Sequence, residues 1–322
     1  MSDPSVRRSA HRKVGVFGIV AIVSVFGLVA AACAPPAPSS NFTFRADQVT
    51  VLEHNDPYST FNLFGQTFCS LTEVLDGCYD EPYLINIWFK VTIGAPGSAQ
   101  AGVVSTRAGS DSRLPAVCAV QRQVPNGICP VGSETLDLPS GTSARTGGTV
   151  SFGPMPRPDV IDLANGAPIT IAGVWSWSME QDLIGIAGPN ELASVLRPAL
   201  NAVAAGEVFD GGPEELVQLV VDLLGDAIAV GGAALLNSIT KQLGGDDVLG
   251  SRLYVFLGSS GLLAQVVDTF VPDLAGFRLG VAAAGIPDVF GISVRSTASR
   301  TIRNQVFDGD GTHVYRYVTR NS

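Results

Sequence analysis

Lysine is nearly absent from this chain: Lys13, Lys90 and Lys241 are all that 322 residues contain, and charged residues of every kind make up 15%. Globular chains carry about 25%. Histidine is as scarce, with only His54 and His313 beyond the first 32 residues. No G-x-S-x-G elbow, H-E-x-x-H pair, P-loop or G-x-G-x-x-G is present, so the local signatures of esterase, zinc protease and nucleotide chemistry are missing. Both histidines read as exposed strand or loop residues, and no local sequence supports a Ser-His-Asp triad.

The charge that exists is unevenly placed. Formal net charge is −9, yet Arg7, Arg8, Arg12 and Lys13 precede the uncharged run 14–32 and are opposed only by Asp3. Without that segment, 16 basic and 28 acidic residues remain, a balance of −12. Such a surface repels phosphate backbones and argues against nucleic acid as a partner, whereas it tolerates cations.

A basic start, an apolar run and small residues at its end form the order of a signal sequence, assigned to residues 1–32. The run closes on Leu28, Val29, Ala30, Ala31, Ala32 and Cys33, and a Pro/Ser-rich stretch follows. Here the chain resembles a bacterial lipoprotein precursor of the actinobacterial type. The resemblance implies that Cys33 becomes a lipid-bearing N-terminus, with residues 33–46 as a flexible tether to the extracytoplasmic face of the cell membrane. Ala30 stands where that family more often has Leu or Val, so plain cleavage after Ala32 and secretion stay open. An uncleaved anchor stays open too, because the run approaches the ~20 residues that span a bilayer. All three readings put the remainder outside the cytoplasm.

Beyond Cys33 lie four cysteines, Cys69, Cys78, Cys118 and Cys129. An even number in an exported chain predicts disulfides. Three pairings are open, and nearest-neighbour pairing closes two short turn-rich loops. Zinc fits poorly, since the spacings exceed the usual C-x₂₋₄-C.

Abundant Gly (36) and Pro (20) favour a turn-rich framework. Residues 48–54 alternate like a strand. Residues 82–94 form the strongest strand pattern, with Tyr83, Ile85, Ile87, Phe89 and Val91 on a purely apolar face and Leu84, Asn86, Trp88 and Lys90 on the other. Further strands are expected near 102–106, 116–123, 149–152, 169–178, 252–257, 289–295, 301–307 and 313–319. The last two make a hairpin through Asp308-Gly309-Asp310-Gly311. Helices are expected at 189–204, kinked at Pro198, at 213–230 with Pro213 opening it, and at 233–243. Residues 258–284 are mixed, with 262–270 a helix candidate. The expected fold is mainly β, a single discontinuous β-sandwich over residues 47–322, α+β overall through a helical insertion at about 183–245.

Acidic residues recur at expected strand ends: Asp80 and Glu81, Glu180 and Asp182, Asp246 and Asp247, Asp308 and Asp310. If these ends share a rim, their oxygens suit calcium, which takes six to eight hard ligands. In this respect the chain loosely resembles C2-like sandwiches, which cluster loop aspartates at one end. The bland alternative is that each Asp serves its own turn. The sequence therefore points to a membrane-anchored, non-enzymatic binding module with calcium as candidate cofactor and an extracytoplasmic ligand or protein as partner. A hydrolase built from dispersed carboxylates is one rival. A membrane-active protein working through residues 213–243 is the other.

Overall fold

The computed structural model describes residues 37–53, 61–63, 66–68, 79–80, 82–107, 138–139, 141–180, 190–205, 209, 211–243, 247–286, 289–309 and 311–322. The strands are β1 (Ser39–Glu53), β2 (Phe61–Leu63), β3 (Gln66–Phe68), β4 (Tyr79–Asp80), β5 (Pro82–Thr92), β6 (Gln100–Arg107), β7 (Leu138–Pro139), β8 (Ser143–Arg145) and β9 (Thr149–Pro156). They continue with β10 (Thr170–Glu180), β11 (Asp247–Leu257), β12 (Val289–Ser296), β13 (Arg300–Phe307) and β14 (Thr312–Asn321). The helices are α1 (Val160–Ala164), α2 (Asn190–Ala204), α3 (Pro213–Leu243), α4 (Gly261–Thr269) and α5 (Ala275–Ala284).

Two five-stranded sheets organise the chain. In the first, β13, β14 and β1 run antiparallel, and the far edge of β1 pairs with β9 over Ser39–Arg45 and with β8 over Gln48–Thr50. The second has the order β12-β11-β10-β5-β6 and is antiparallel except between β11 and β12. The pairs β2–β3 and β4–β7 are separate two-stranded ribbons.

The period of two in β5 and β10 sends alternate residues to opposite faces of the second sheet, and both faces are covered. Tyr83, Ile85, Ile87 and Phe89 of β5 join Trp175, Trp177 and Met179 of β10 in a cluster completed by α2, α3, α4 and α5. The opposite face supplies Leu84, Ala172, Val174, Tyr254 and Phe256, which meet Phe42, Phe44, Val49, Tyr315 and Tyr317 of the first sheet. Strands covered on both sides need a mixed inner face to find polar partners. Ser176 donates to Asn86 Oδ1 at 2.6 Å, and Lys90 reaches out of the sheet to the carbonyls of Phe152 (3.0 Å) and Pro154 (2.7 Å) in β9. Burial pushes the Lys90 ammonium below its ordinary value, so the two carbonyls are what keep its desolvation tolerable. The same burial lifts the phenols of Tyr254 and Tyr317 well above theirs, and both stay protonated.

The mainly β framework with helices follows the sequence reading, but two assignments change. Residues 39–46, expected in the tether, are the first half of β1, with Phe42, Phe44 and Ala46 buried. The Phe-x-Phe-x-Ala alternation outweighs the Pro/Ser composition just before it. Helices α2 and α3 sit between the paired strands β10 and β11 as expected, and the non-helical Gly232 (φ 41°) divides α3 into the two helices expected there. A second helical connection, α4 and α5, joins β11 to its parallel neighbour β12, as a parallel pairing demands. The expected strand 116–123 and Cys33, Cys69, Cys78, Cys118 and Cys129 lie outside the described residues.

At the Ser39 end of β1, the β9 end (Pro156), the β11 end (Gly258), the β12 end (Ser296) and the C-terminus (Ser322) lie side by side. Asp268 of α4 ties this end together, accepting from Ser296 N (2.8 Å), Ser296 Oγ (2.8 Å) and Arg300 (2.8 Å). Burial alone would raise its carboxyl; the Arg300 and Ser296 bonds more than reverse that and hold it below 3.8. Asp47, bonded to Arg316 and Arg45 on the outer face of the first sheet, is depressed for the same balance of reasons. A carboxyl depressed by folding stabilises fully above its unfolded value and ceases to do so as pH falls through the folded value. Asp268→Asn is therefore expected to cost about 1.5–3 kcal/mol at neutral pH. Urea titrations below about pH 4 should find variant and parent converging; a constant difference at all pH values would assign the loss to packing.

Candidate functional site

At the other end of the sheets the strand ends carry acids. Glu180, the last residue of β10, is the register partner of Asp247 on one side and of Pro82 on the other. Asp80 of β4 stands two residues before Pro82. The β13–β14 turn folds over the same end, since Gly309 N donates to Leu249 O at 3.0 Å, and this carries Asp308 beside the start of β11. Asp80, Glu180, Asp247 and Asp308, dispersed over more than 200 residues of sequence, thus share one rim. Glu81, Asp182, Asp246 and Asp310 lie outside the described residues.

The rim also holds an acid outside the expected strand-end pairs. Glu53 closes β1 opposite Thr312, whose hydroxyl lies 3.4 Å from Glu53 Oε2. Its signal was present, because Glu53 closes the Val49 and Val51 row in the alternation of residues 48–54. Among the described residues, no three His, Cys, Asp or Glu side chains converge on one metal position.

Just beneath the rim, His313 overturns its reading as an exposed residue. It is fully buried between the sheets, with Nδ1 3.3 Å from the Ser178 hydroxyl, itself fully buried. Inward alternation of His313, Tyr315 and Tyr317 in β14 puts it there. A serine beside a histidine suggests nucleophilic chemistry, but a substrate has no approach to a pair sealed on both sides by sheet. The pair's visible role is to bind β14 to β10 across the interior, as Tyr315 binds β14 to β5 by donating its hydroxyl to Tyr83 O (3.4 Å).

The strongly apolar residues 213–243 have a structural use in their first half. Leu216, Val217, Val220, Val221, Leu223, Leu224, Ala227 and Ile228 are buried against the second sheet and α5. Among the described residues no helix is long and apolar enough to cross a membrane. No family model, curated protein or solved structure matches the chain.

Proposed function

We propose that this is a non-enzymatic, lipid-anchored module of the cell envelope, a β-sandwich with a helical layer on one face. Cys33 holds it to the membrane, and the acidic rim, assisted by calcium, takes an extracytoplasmic ligand or partner. The observation that carries the reading is the gathering of Asp80, Glu180, Asp247 and Asp308 at one end, with Ser39, the first strand residue after the anchor, at the other. Strand β10, 11 residues long, separates the two ends by on the order of 35 Å. Acids on neighbouring strand ends repel one another in an already acidic protein, and a divalent cation relieves that cost with the oxygen chemistry it prefers.

Calcium binding that requires the folded rim raises stability through linkage, by about 2.7 kcal/mol at a hundredfold excess over Kd. Thermal unfolding in calcium should therefore show a midpoint several degrees above that in chelator. Asp247→Asn and Asp308→Asn should each shrink the shift, while magnesium, which prefers a tight octahedral shell, should give less of it. An unchanged midpoint at millimolar calcium would remove the cation from the proposal and leave each Asp to its own turn.

A further inference from the structure

The Ser39 end of the sheets carries an exposed apolar edge. Of the six large hydrophobic residues that stand exposed among the described ones, three are here: Ile161 (71%), Leu262 (56%) and Val271 (86%). Their placement is built in. Asp159 caps α1 through its carboxylate, accepting from Val160 N at 2.7 Å, and the same oxygen lies 3.3 Å from Leu263 N at the start of α4. One side chain thus holds the N-termini of both helices together and sets Ile161 and Leu262 at the same edge. Asp268 pins the far end of α4 to Ser296 and Arg300, three residues before Val271. The chain meets this edge as it leaves the leader, because Arg157 N donates to Pro38 O at 2.7 Å and Ser39 pairs with Pro156.

We propose that this edge, Ile161 and Leu262 foremost, rests in the interfacial layer of the membrane that carries the anchor. The inference depends on the lipid-anchor reading of Cys33 and goes beyond it. What makes it is the length of the tether: β1 begins at Ser39, so only residues 34–38 separate Cys33 from the sheet. Fully extended, that stretch reaches about 20 Å, less than the thickness of the two stacked sheets and helices it would have to clear. A tether ending at residue 46 would have let the domain swing free; this one holds the edge beside the headgroups. Aliphatic side chains at such a distance gain free energy by entering the acyl boundary. Asp159 and Asp162 beside Ile161, and Asp273 beside Val271, each have a carboxylate oxygen committed to a backbone amide, and Asp268 is bonded to Arg300. Arg157 and the exposed Arg320, opposite Thr43 in register, bring positive charge to the same end, which suits anionic lipid.

The test uses the full chain, purified from membranes with its N-terminus as the cell makes it and reconstituted into phosphatidylethanolamine–phosphatidylglycerol vesicles. Tryptophan is placed at Ile161, at Leu262 or, as a control at the acidic end, at Leu52, all exposed positions that leave the core untouched. In vesicles with brominated acyl chains, Ile161→Trp and Leu262→Trp should lose about half of the added emission, and Leu52→Trp none. Flotation with the vesicles but no quenching at Ile161 and Leu262 would overturn the inference and leave the anchor standing. Equal quenching at Leu52 would overturn it as well. A parent protein that does not float would remove the anchor and this inference together.

Discussion

Phe44→Ala is expected to destabilise the protein by about 3–5 kcal/mol, the range for truncating a buried aromatic. Phe44 sits in the segment whose sequence reads as tether, yet its ring lies 5.0 Å from Tyr317, 5.4 Å from Tyr254 and 5.7 Å from Phe256, centroid to centroid. It therefore links β1 and β14 of the first sheet to β11 of the second. Removing it opens a cavity bounded by Tyr254, whose hydroxyl donates to Gln305 Oε1 at 3.2 Å, and Tyr317, whose hydroxyl has no hydrogen bond of ordinary geometry. These neighbours are fixed in strands, so the site cannot collapse cheaply. Urea unfolding, followed through the near-ultraviolet signal of the interior aromatics, would measure the loss. A change below about 0.5 kcal/mol, typical of exposed sites, would restore the tether and withdraw the short leash on which membrane contact rests. Thr43→Ala, on the outer face of the same strand, should fall within that smaller range.

Gly280→Ala should destabilise by about 2–3 kcal/mol or more, opposite in sign to the usual gain. In an open helix the replacement adds about 1 kcal/mol of helix propensity. Here α5 crosses α3 so closely that a methyl at Gly280 would lie 2.2 Å from the Gly225 carbonyl oxygen. The obstacle is backbone, which no rotamer change relieves, so the two helices must separate and uncover Phe277 and Val281. Gly276→Ala, one turn earlier, is the internal control. Its new methyl meets only the Asp222 carboxylate, at 3.0 Å, an exposed side chain that can yield by shifting its surface hydrogen bond from Gln218. Thermal unfolding of the two variants should bracket the parent, Gly280→Ala below and Gly276→Ala at or above it. Two midpoints shifted upward together would mean that the helices are not in this contact.

The strands that the sequence makes plainest are those whose environment differs most between faces. In β5 the apolar set Tyr83, Ile85, Ile87 and Phe89 needed only its period to be read, and it does face a core. Trp88 and Lys90 gave no hint that their own face was covered, since an inner Lys becomes tolerable only when distant carbonyls at Phe152 and Pro154 come to it. Helix α5 was hidden for a related reason. Its sequence, AGFRLGVAAA, has no side-chain cap and two glycines, which oppose a helix locally and become an advantage only against Gly225. His313 misled because polarity suggests exposure, while the alternation of β14 puts it on the inner face with Tyr315 and Tyr317.

By itself the sequence determined the acidic balance, the mainly β character and the position of the helical connection between β10 and β11. All of these depend on composition or on periods of two and 3.6, which residues close in the chain carry among themselves. Only the tertiary structure decided which ends meet. Register between strands more than 100 residues apart brings Asp80, Glu180, Asp247 and Asp308 to one rim and sets Ile161, Leu262 and Val271 at the other. Pairing of that kind is set by how two sheets and a helical layer pack around two cores, a quantity that no local stretch of sequence contains.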